Sequence, residues 1–346
     1  MNIAGTSIGP GRPTFIIAEM SGNHNHDFAR AKKIIDMAAY AGVDAVKLQT
    51  YTPDTMTIKS DKKWFTVGKG NAWEGTTLYD LYQWAHTPWA WQKRLMAYAK
   101  KKGLVCFSTP FDETAVDFLE GLDVPAYKVA SFEIADLELL ARIGKTRKPV
   151  ILSRGLATLP EIRKAVDTLK RHGAPEVAVL HCVSSYPAAP AQMNLATIPD
   201  LAKQLGVVTG LSDHSLGPAA AVAAVALGAR IIEKHMTLKR SDGGPDAEFS
   251  LEPEEMKELV RLVRDTEQAI GRPSYQPGKK ERENLVFRRS IFAVADIKKG
   301  QRFDRSTIRV IRPGYGMSPH ELAWALTRKA ACDIQKGTPL LPRYIA

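Results

Sequence analysis

Eight short apolar runs, each ending in polar residues, recur along this chain with helical patterns between most of them. They are FIIAEM (15–20), AVKLQTY (45–51), VCFSTPF (105–111), AYKVAS (126–131), PVILSRG (149–155), VAVLHCV (177–183), VVTGLSDHS (207–215) and RIIEKHM (230–236). Continuous apolarity with β-branched residues, without strict alternation, is how a strand reads when both faces are covered, as in a parallel sheet. Between the runs, DFARAKKIIDMAAYAG sets Ile34, Ile35, Met37, Ala38 and Ala41 near one stripe and stops at Gly42. Likewise, Pro253 opens a helix in which Met256, Leu259, Val260 and Val263 repeat at helical spacing before Gly271. Eight strand–helix units within residues 1–271 predict an α/β fold, a (β/α)8 TIM barrel.

A doubly wound open sheet is the alternative, and the polar residues argue against it. An open sheet gathers its chemistry at one switch point, whereas a barrel draws it from the C-terminal ends of many strands. Here nearly every run ends in such residues: Glu19; Lys47 and Gln49; Ser108 and Thr109; Lys128 and Ser131; Ser153; Ser184; Asp213 and His214; Glu233 and His235.

The chain has 346 residues, enough for one large domain and a small one. After Gly271, RPSYQPGKKERENL reads as a linker, placed at 272–288, and residues 289–346 read as a small β-rich domain. In that tail DIKKGQ (296–301) recurs as DIQKGT (333–338), a paired turn, and Ser318, Pro319 and Glu321 form a capping box for a short helix. A tail this small has a marginal core alone and is expected to lean on the barrel or on another subunit. The connection over residues 52–87 is the one abnormal joint. Loops beyond ~15 residues in compact domains are usually functional or disordered, and this one is rich in aromatics, which points to a loop covering substrate.

Net charge is +11, but the basic residues are dispersed along expected helices and turns, so the pattern is not that of a nucleic-acid binder and fits an anionic small substrate. The opening residues carry no charged leader or cleavage site, and no apolar run approaches the ~20 residues of a membrane span; the expectation is a cytoplasmic protein without membrane association. Cys106, Cys182 and Cys332 are far apart and odd in number, as for reduced thiols, with Cys106 and Cys182 read as small core residues.

His214 and His235 end consecutive strands, so neighbouring strands bring two imidazoles to one point, a donor pair suited to Mn²⁺, Fe²⁺ or Zn²⁺ completed by water, carboxylate or substrate. Glu233 shares the face of His235 and offers either a ligand or an orienting group. A rival site exists in His24 and His26 after the first strand, which resemble the H-x-H of barrel metallohydrolases, with Lys128 as bridging lysine and His181 as a further ligand; strand five lacks the histidine that reading requires. Lys47 and Lys128 inside apolar strands need an anion, from protein or ligand, and Ser108, Ser131, Ser153 and Ser212 place hydroxyls around the same mouth. Glu19 is a candidate general acid or base, or else the ion-pair partner of Lys47 or Lys128.

Together FIIAEMSGNHNHD, DAVKLQTYTPDTM, FSTPFD, PAYKVASFEI, GLSDHSLG, IIEKHMTLKRSDGGPDAEFSLEP and RRSIFAVADIKKGQ resemble the sialic acid synthase family over essentially the whole chain, the tail resembling its SAF (antifreeze-like) domain. The resemblance implies condensation of phosphoenolpyruvate with an open-chain N-acetylated aminosugar to a nine-carbon 2-keto acid and phosphate. LQTYTPDTMTI, WEGTTLYDLY, TPWAW and GGPDAEFSLEP resemble the branch that takes a 2,4-diacetamido-2,4,6-trideoxy-altrose. It further implies that His214 and His235 hold Mn²⁺, Co²⁺ or Mg²⁺, and that Glu19 is catalytic. Lys47, Lys128, Ser131, Ser153 and Ser212 would bind phosphoenolpyruvate, and Asp246, Gln49 and Tyr186 the sugar. Arg312 would reach the sugar from the other subunit of a domain-swapped homodimer. Three positions depart from the family pattern: Arg154, placed beside the phosphoenolpyruvate position; Ser184, where asparagine is common; and Met236, where phenylalanine is usual.

Overall fold

Strand pairing closes the eight apolar runs into one parallel barrel in the computed structural model, which describes residues 1–68 and 73–346. The strands are β1 (Phe15–Glu19), β2 (Ala45–Thr50), β3 (Val105–Pro110), β4 (Tyr127–Val129), β5 (Val150–Ser153), β6 (Val177–Cys182), β7 (Val208–Asp213) and β8 (Ile231–His235). They follow one another in sequence order, and β8 returns to pair with β1, His235 standing opposite Glu19. The barrel expected from the sequence is therefore the one observed, and the open-sheet alternative falls.

Each strand is followed by its principal helix: α1 (Phe28–Ala41), α2 (Trp89–Lys101), α3 (Glu113–Gly121), α4 (Leu137–Lys145), α5 (Leu159–Arg171), α6 (Thr197–Leu205), α7 (Ala219–Ala226) and α8 (Pro253–Ile270). The α1 stripe buries Ala31, Ile34, Ile35, Ala38 and Ala41, while Asp27 caps its start and Gly42, at φ 81°, ends it in the left-handed region. Full burial of each such isoleucine is worth ~1.5–3 kcal/mol against exposure, which is why this face, and not its propensity, holds the helix.

Alternation along the strands sorts the barrel interior by height. Phe15, Ile17, Ala45, Phe107, Ala126, Ile151, Ala178, Leu180 and Ile231 form an apolar floor. The next inward positions are Glu19, Lys47, Thr109, Lys128, Ser153, Cys182, Ser212 and Glu233, all buried. An element the sequence did not disclose closes the floor: residues Asn2–Ile3 and Thr6–Ser7 pair as a small antiparallel hairpin, and Ile3 and Ile8 pack into the floor cluster.

The long connection after β2 is built, not formless. It holds helices Pro53–Met56 and Leu78–Ala85, capped by Thr52 and Thr77, and an antiparallel bridge between Thr66 and Thr77. Residues 69–72 of the stretch read as a covering loop lie outside the described residues.

The chain divides into two units, Met1–Gly271 and Arg272–Ala346. In the second, the stretch read as a linker carries helical turns at Lys279–Glu283 and Asn284–Phe287. Strands β9 (Ser290–Ala293) and β10 (Ile308–Ile311) pair antiparallel over a core that includes Ile291, Ile297, Phe303, Ile308 and Ile334. The repeated turns do face one another. Ile297 and Ile334 exchange both backbone hydrogen bonds at 2.8 Å, Lys299 N–H donates to Asp333 and Lys336 N–H to Asp296, so each aspartate caps the other repeat. Ser318, Pro319 and Glu321 form the expected capping box. Among the described residues no helix is long and apolar enough to cross a membrane.

Candidate active site

Above the apolar floor the barrel opens into a cavity of about 360 Å³. Strand ends supply its polar side: Lys47, Gln49, Lys128, Ser131, Ser153, Ser212, His214, Glu233 and His235 line it, joined by Asp246 and Tyr186 from the loops after β8 and β6. The connection after β2 supplies an apolar side through Met56, Val67, Trp73, Leu78, Leu81 and Tyr82. Trp73 is anchored there by its indole N–H, which donates to the Pro245 carbonyl at 2.6 Å, and its ring lies 5.6 Å from that of Tyr186.

The two lysines meet over carboxylates. Lys47 Nζ lies 2.9 Å from Glu19 and 3.4 Å from Glu233 and donates to Thr109 at 3.2 Å. Lys128 Nζ donates to Ser153 Oγ at 2.7 Å and to the Val129 carbonyl, and stands 3.9 Å from Glu233. Glu233 also accepts from Ser212 at 3.0 Å. Burial alone would raise the Glu233 carboxyl, but Lys128 and Lys47 more than offset this and hold it ionised. Glu19 is different: burial pushes its carboxyl up to about 7 against the opposing pull of Lys47, while Gln49 Nε2 and the Ser21 N–H both donate to its Oε1 at 3.1 Å. A buried carboxyl that titrates near neutrality is a proton-exchange group.

At the other side of the cavity the His214 and His235 rings lie 5.5 Å apart, with Phe249 against both and Tyr186 4.5 Å from His214. His214 Nδ1 sits 3.0 Å from the Val183 carbonyl and so carries the proton, leaving Nε2 bare. His235 Nδ1 is buried with no hydrogen-bond partner among the described residues, and the Asp246 carboxylate is 3.7 Å away. Burial lowers both histidines, which keeps them neutral, the form that ligates. Two neutral, adjacent imidazoles, one with its Nδ1 unpartnered among the described residues, have the donor chemistry of a pair that could hold a divalent ion. Burial also pushes the Asp246 carboxyl up to about 6, and Ser21 donates to it.

Several sequence expectations are corrected. Ser108 faces outward and bonds Thr50 at 2.7 Å; Thr109, one residue on, is the hydroxyl beside Lys47. Glu233 serves the lysines, and Asp246 is the carboxylate beside His235. Arg154 does not line the cavity: its Nε donates to His181 Nδ1 at 3.0 Å, and His181 in turn bonds the Met193 carbonyl. The hydrolase set is dispersed. His24 spends one nitrogen on Thr87 and the other on the His26 N–H, and His26 meets His86 edge-to-face with ring centroids 4.7 Å apart. Cys182 lines the cavity instead of filling the core, whereas Cys106 is a core thiol as read; Met236 is fully buried in packing. Ser184 bonds Ser131 at 3.0 Å. Beside them Gly155, at φ +44°, leaves so little room that a Cβ there would fall 2.2 Å from the Ser131 Cβ. Arg312 follows β10 in the second unit.

The reading from sequence missed Glu133, a cavity residue just past the end of β4. Its Oε2 is buried without a partner, and burial pushes its carboxyl up to about 7. Because the folded chain holds this proton more tightly than the unfolded one, the associated stability is full below the ordinary value of 4.5 and is lost as pH rises toward 7. The shift corresponds to about 3 kcal/mol. Glu133→Gln is therefore expected to match the parent in urea unfolding near pH 4.5 and to exceed it by about 2–3 kcal/mol near pH 8. Equal stability at both would show that this carboxyl is not held neutral.

A parallel barrel with an anion pocket and a histidine pair at one mouth defines a class: barrel proteins built to hold an anionic small molecule beside a divalent ion. Within that class, residues 34–275 match the model of the NeuB family and residues 288–343 that of the SAF domain. The chain belongs to the NeuB family. It is 43% identical to the pseudaminic acid synthase of Campylobacter jejuni over 95% of this chain and 96% of that one. It is 36% identical to the N,N'-diacetyllegionaminic acid synthase of Legionella pneumophila over 96% and 94%. The N-acetylneuraminic acid synthetase of Leptospira borgpetersenii, solved with citrate, superposes with a TM-score of 0.73 at 34% identity, over 82% of this chain and 94% of that one.

Proposed function

We propose that this chain is a pseudaminic acid synthase, joining phosphoenolpyruvate to 2,4-diacetamido-2,4,6-trideoxy-L-altrose with release of inorganic phosphate. The observation that carries the reading is the division of the cavity. Two lysines and three serines gather at its depth, and two imidazoles and an apolar wall lie beyond them. That wall suits a deoxy sugar bearing acetyl methyls better than a fully hydroxylated one. The names of relatives 39–43% identical in sequence point the same way.

Lys47 and Lys128 act as point charges for the carboxylate and phosphate of phosphoenolpyruvate, and Ser131, Ser153 and Ser212 add neutral donors. Gln49, Tyr186 and Asp246 orient the sugar, and the partner subunit's Arg312 completes its site in a domain-swapped homodimer. His214 and His235 would hold the divalent ion, Mn²⁺ in preference to Co²⁺ or Mg²⁺, whose chemistry there is Lewis-acid polarisation of the sugar aldehyde. C3 of phosphoenolpyruvate bonds to the aldehyde carbon, whose oxygen takes up a proton. Water adds at C2 and gives up one proton; the new C2 hydroxyl then becomes the carbonyl as the C2–O bond to phosphate breaks, its proton leaving with the phosphate. Glu19, poised near neutrality, is the carboxyl that gives the first proton and regains one from the water. With its phosphoenolpyruvate drawn from central metabolism, such an enzyme works in the cytoplasm.

Phosphate release with Mn²⁺ tests this against three sugars: the diacetamido-trideoxy-altrose, its mannose-configured counterpart and N-acetylmannosamine. The altrose sugar is expected to lead the others by at least about tenfold in kcat/KM. Preference for either of the others moves the chain to the legionaminic or N-acetylneuraminic branch. Release with none sinks the reading.

A further inference from the structure

Asp213 and Lys234 stand outside the cavity, yet each directly precedes one of its two histidines. Alternation turns Ser212, His214, Glu233 and His235 inward and sends Asp213 and Lys234 to the outer side of β7 and β8, where they stand opposite each other in register. Both side chains are fully buried, and Lys234 Nζ lies 2.8 Å from Asp213 Oδ2. The same ammonium donates to the Ser215 carbonyl. Asp213 Oδ1 in turn accepts from the Ser215 N–H at 2.9 Å and its hydroxyl at 2.7 Å. The backbone on both sides of His214 is thus tied to the residue that carries His235.

A buried ion pair is a weak device for stability, because an apolar pair of like volume serves as well or better. What it supplies is geometry: a lysine held by a carboxylate and a carbonyl at once admits one placement of β7 against β8. We infer that Asp213–Lys234 is a positioning pair that sets the separation and aim of the His214 and His235 imidazoles for a divalent ion. This rests on the metal reading of the proposed function.

The test uses the full chain stripped of metal, with Mn²⁺ affinity taken from the paramagnetic resonance signal of the free ion. The double variant Asp213→Leu/Lys234→Met replaces the pair by apolar side chains and is expected to melt within a few degrees of the parent. Its Mn²⁺ affinity should fall by about 10–100-fold, with KM for phosphoenolpyruvate within about twofold and kcat regained at saturating Mn²⁺. Lys234→Arg keeps the charge but not the reach; it should fold and also bind Mn²⁺ more weakly. Parent-like Mn²⁺ affinity in either folded variant overturns the proposal and leaves the pair a structural staple. His214→Ala separates the two readings. If the parent binds no Mn²⁺, or binds it no better than His214→Ala does, the metal reading itself has failed.

Discussion

Glu19→Gln is expected to lower kcat by about 10²–10⁴-fold while leaving KM for phosphoenolpyruvate within about threefold and the fold intact. The amide keeps an oxygen for the Ser21 N–H and Gln49, which both bond Glu19 Oε1, and burial already favours the neutral acid. Lys47 and Lys128 keep Glu233 between them. What glutamine lacks is a proton to exchange, so the inflection near pH 7 in the parent's kcat profile should vanish with the turnover. Steady-state kinetics across pH decide it. A variant that keeps more than a tenth of parental kcat would remove Glu19 from the chemistry.

Lys47→Met should carry the largest stability cost of any single change in the cavity. Lys47 is paired with both Glu19 and Glu233, all three fully enclosed, and removing one member of a buried pair costs about 3–5 kcal/mol. The sign with pH follows from the carboxylates. Without the ammonium Glu19, already above its unfolded value, binds protons more tightly still. Glu233 loses part of the attraction that holds it below its own, so folding takes up more protons than in the parent and the variant's deficit grows as pH increases. The deficit should therefore be smaller near pH 5 than near pH 8, read by urea unfolding at both. A pH-independent deficit would mean that the methionine merely packs badly. KM for phosphoenolpyruvate should rise as well, since one of two anion-binding charges is gone.

Much of this was readable from residues because a parallel barrel writes itself plainly. Strands covered on both faces appear as unbroken apolar runs, and the rule that chemistry sits at their C-terminal ends picks out Lys47, Lys128, His214 and His235 without any structure. The failures have physical causes. In a strand the inward and outward positions alternate, so a one-residue choice decides the face. Ser108 was read into the pocket although Thr109, one residue on, occupies the inward position, while Ser153 lies inward as read and Arg154 beside it does not line the cavity. The floor hairpin has strands of only two residues, too short for any periodicity to register. Glu133 lies past the strand end in a loop, where spacing says little about direction, although its place after Ser131 and Phe132 was a signal. The apolar wall was hidden because Met56, Val67 and Leu81 come from separate pieces of one long connection, which no single periodicity spans. His24 and His26 matched a metal motif in letters, but a motif cannot reveal that both nitrogens of His24 are already taken.

The hairpin at the barrel's floor has a consequence for traffic. With Ile3 and Ile8 packed into the floor cluster, that end of the barrel is stoppered among the described residues, and Trp73 and Tyr186 stand at the opposite, open side of the cavity.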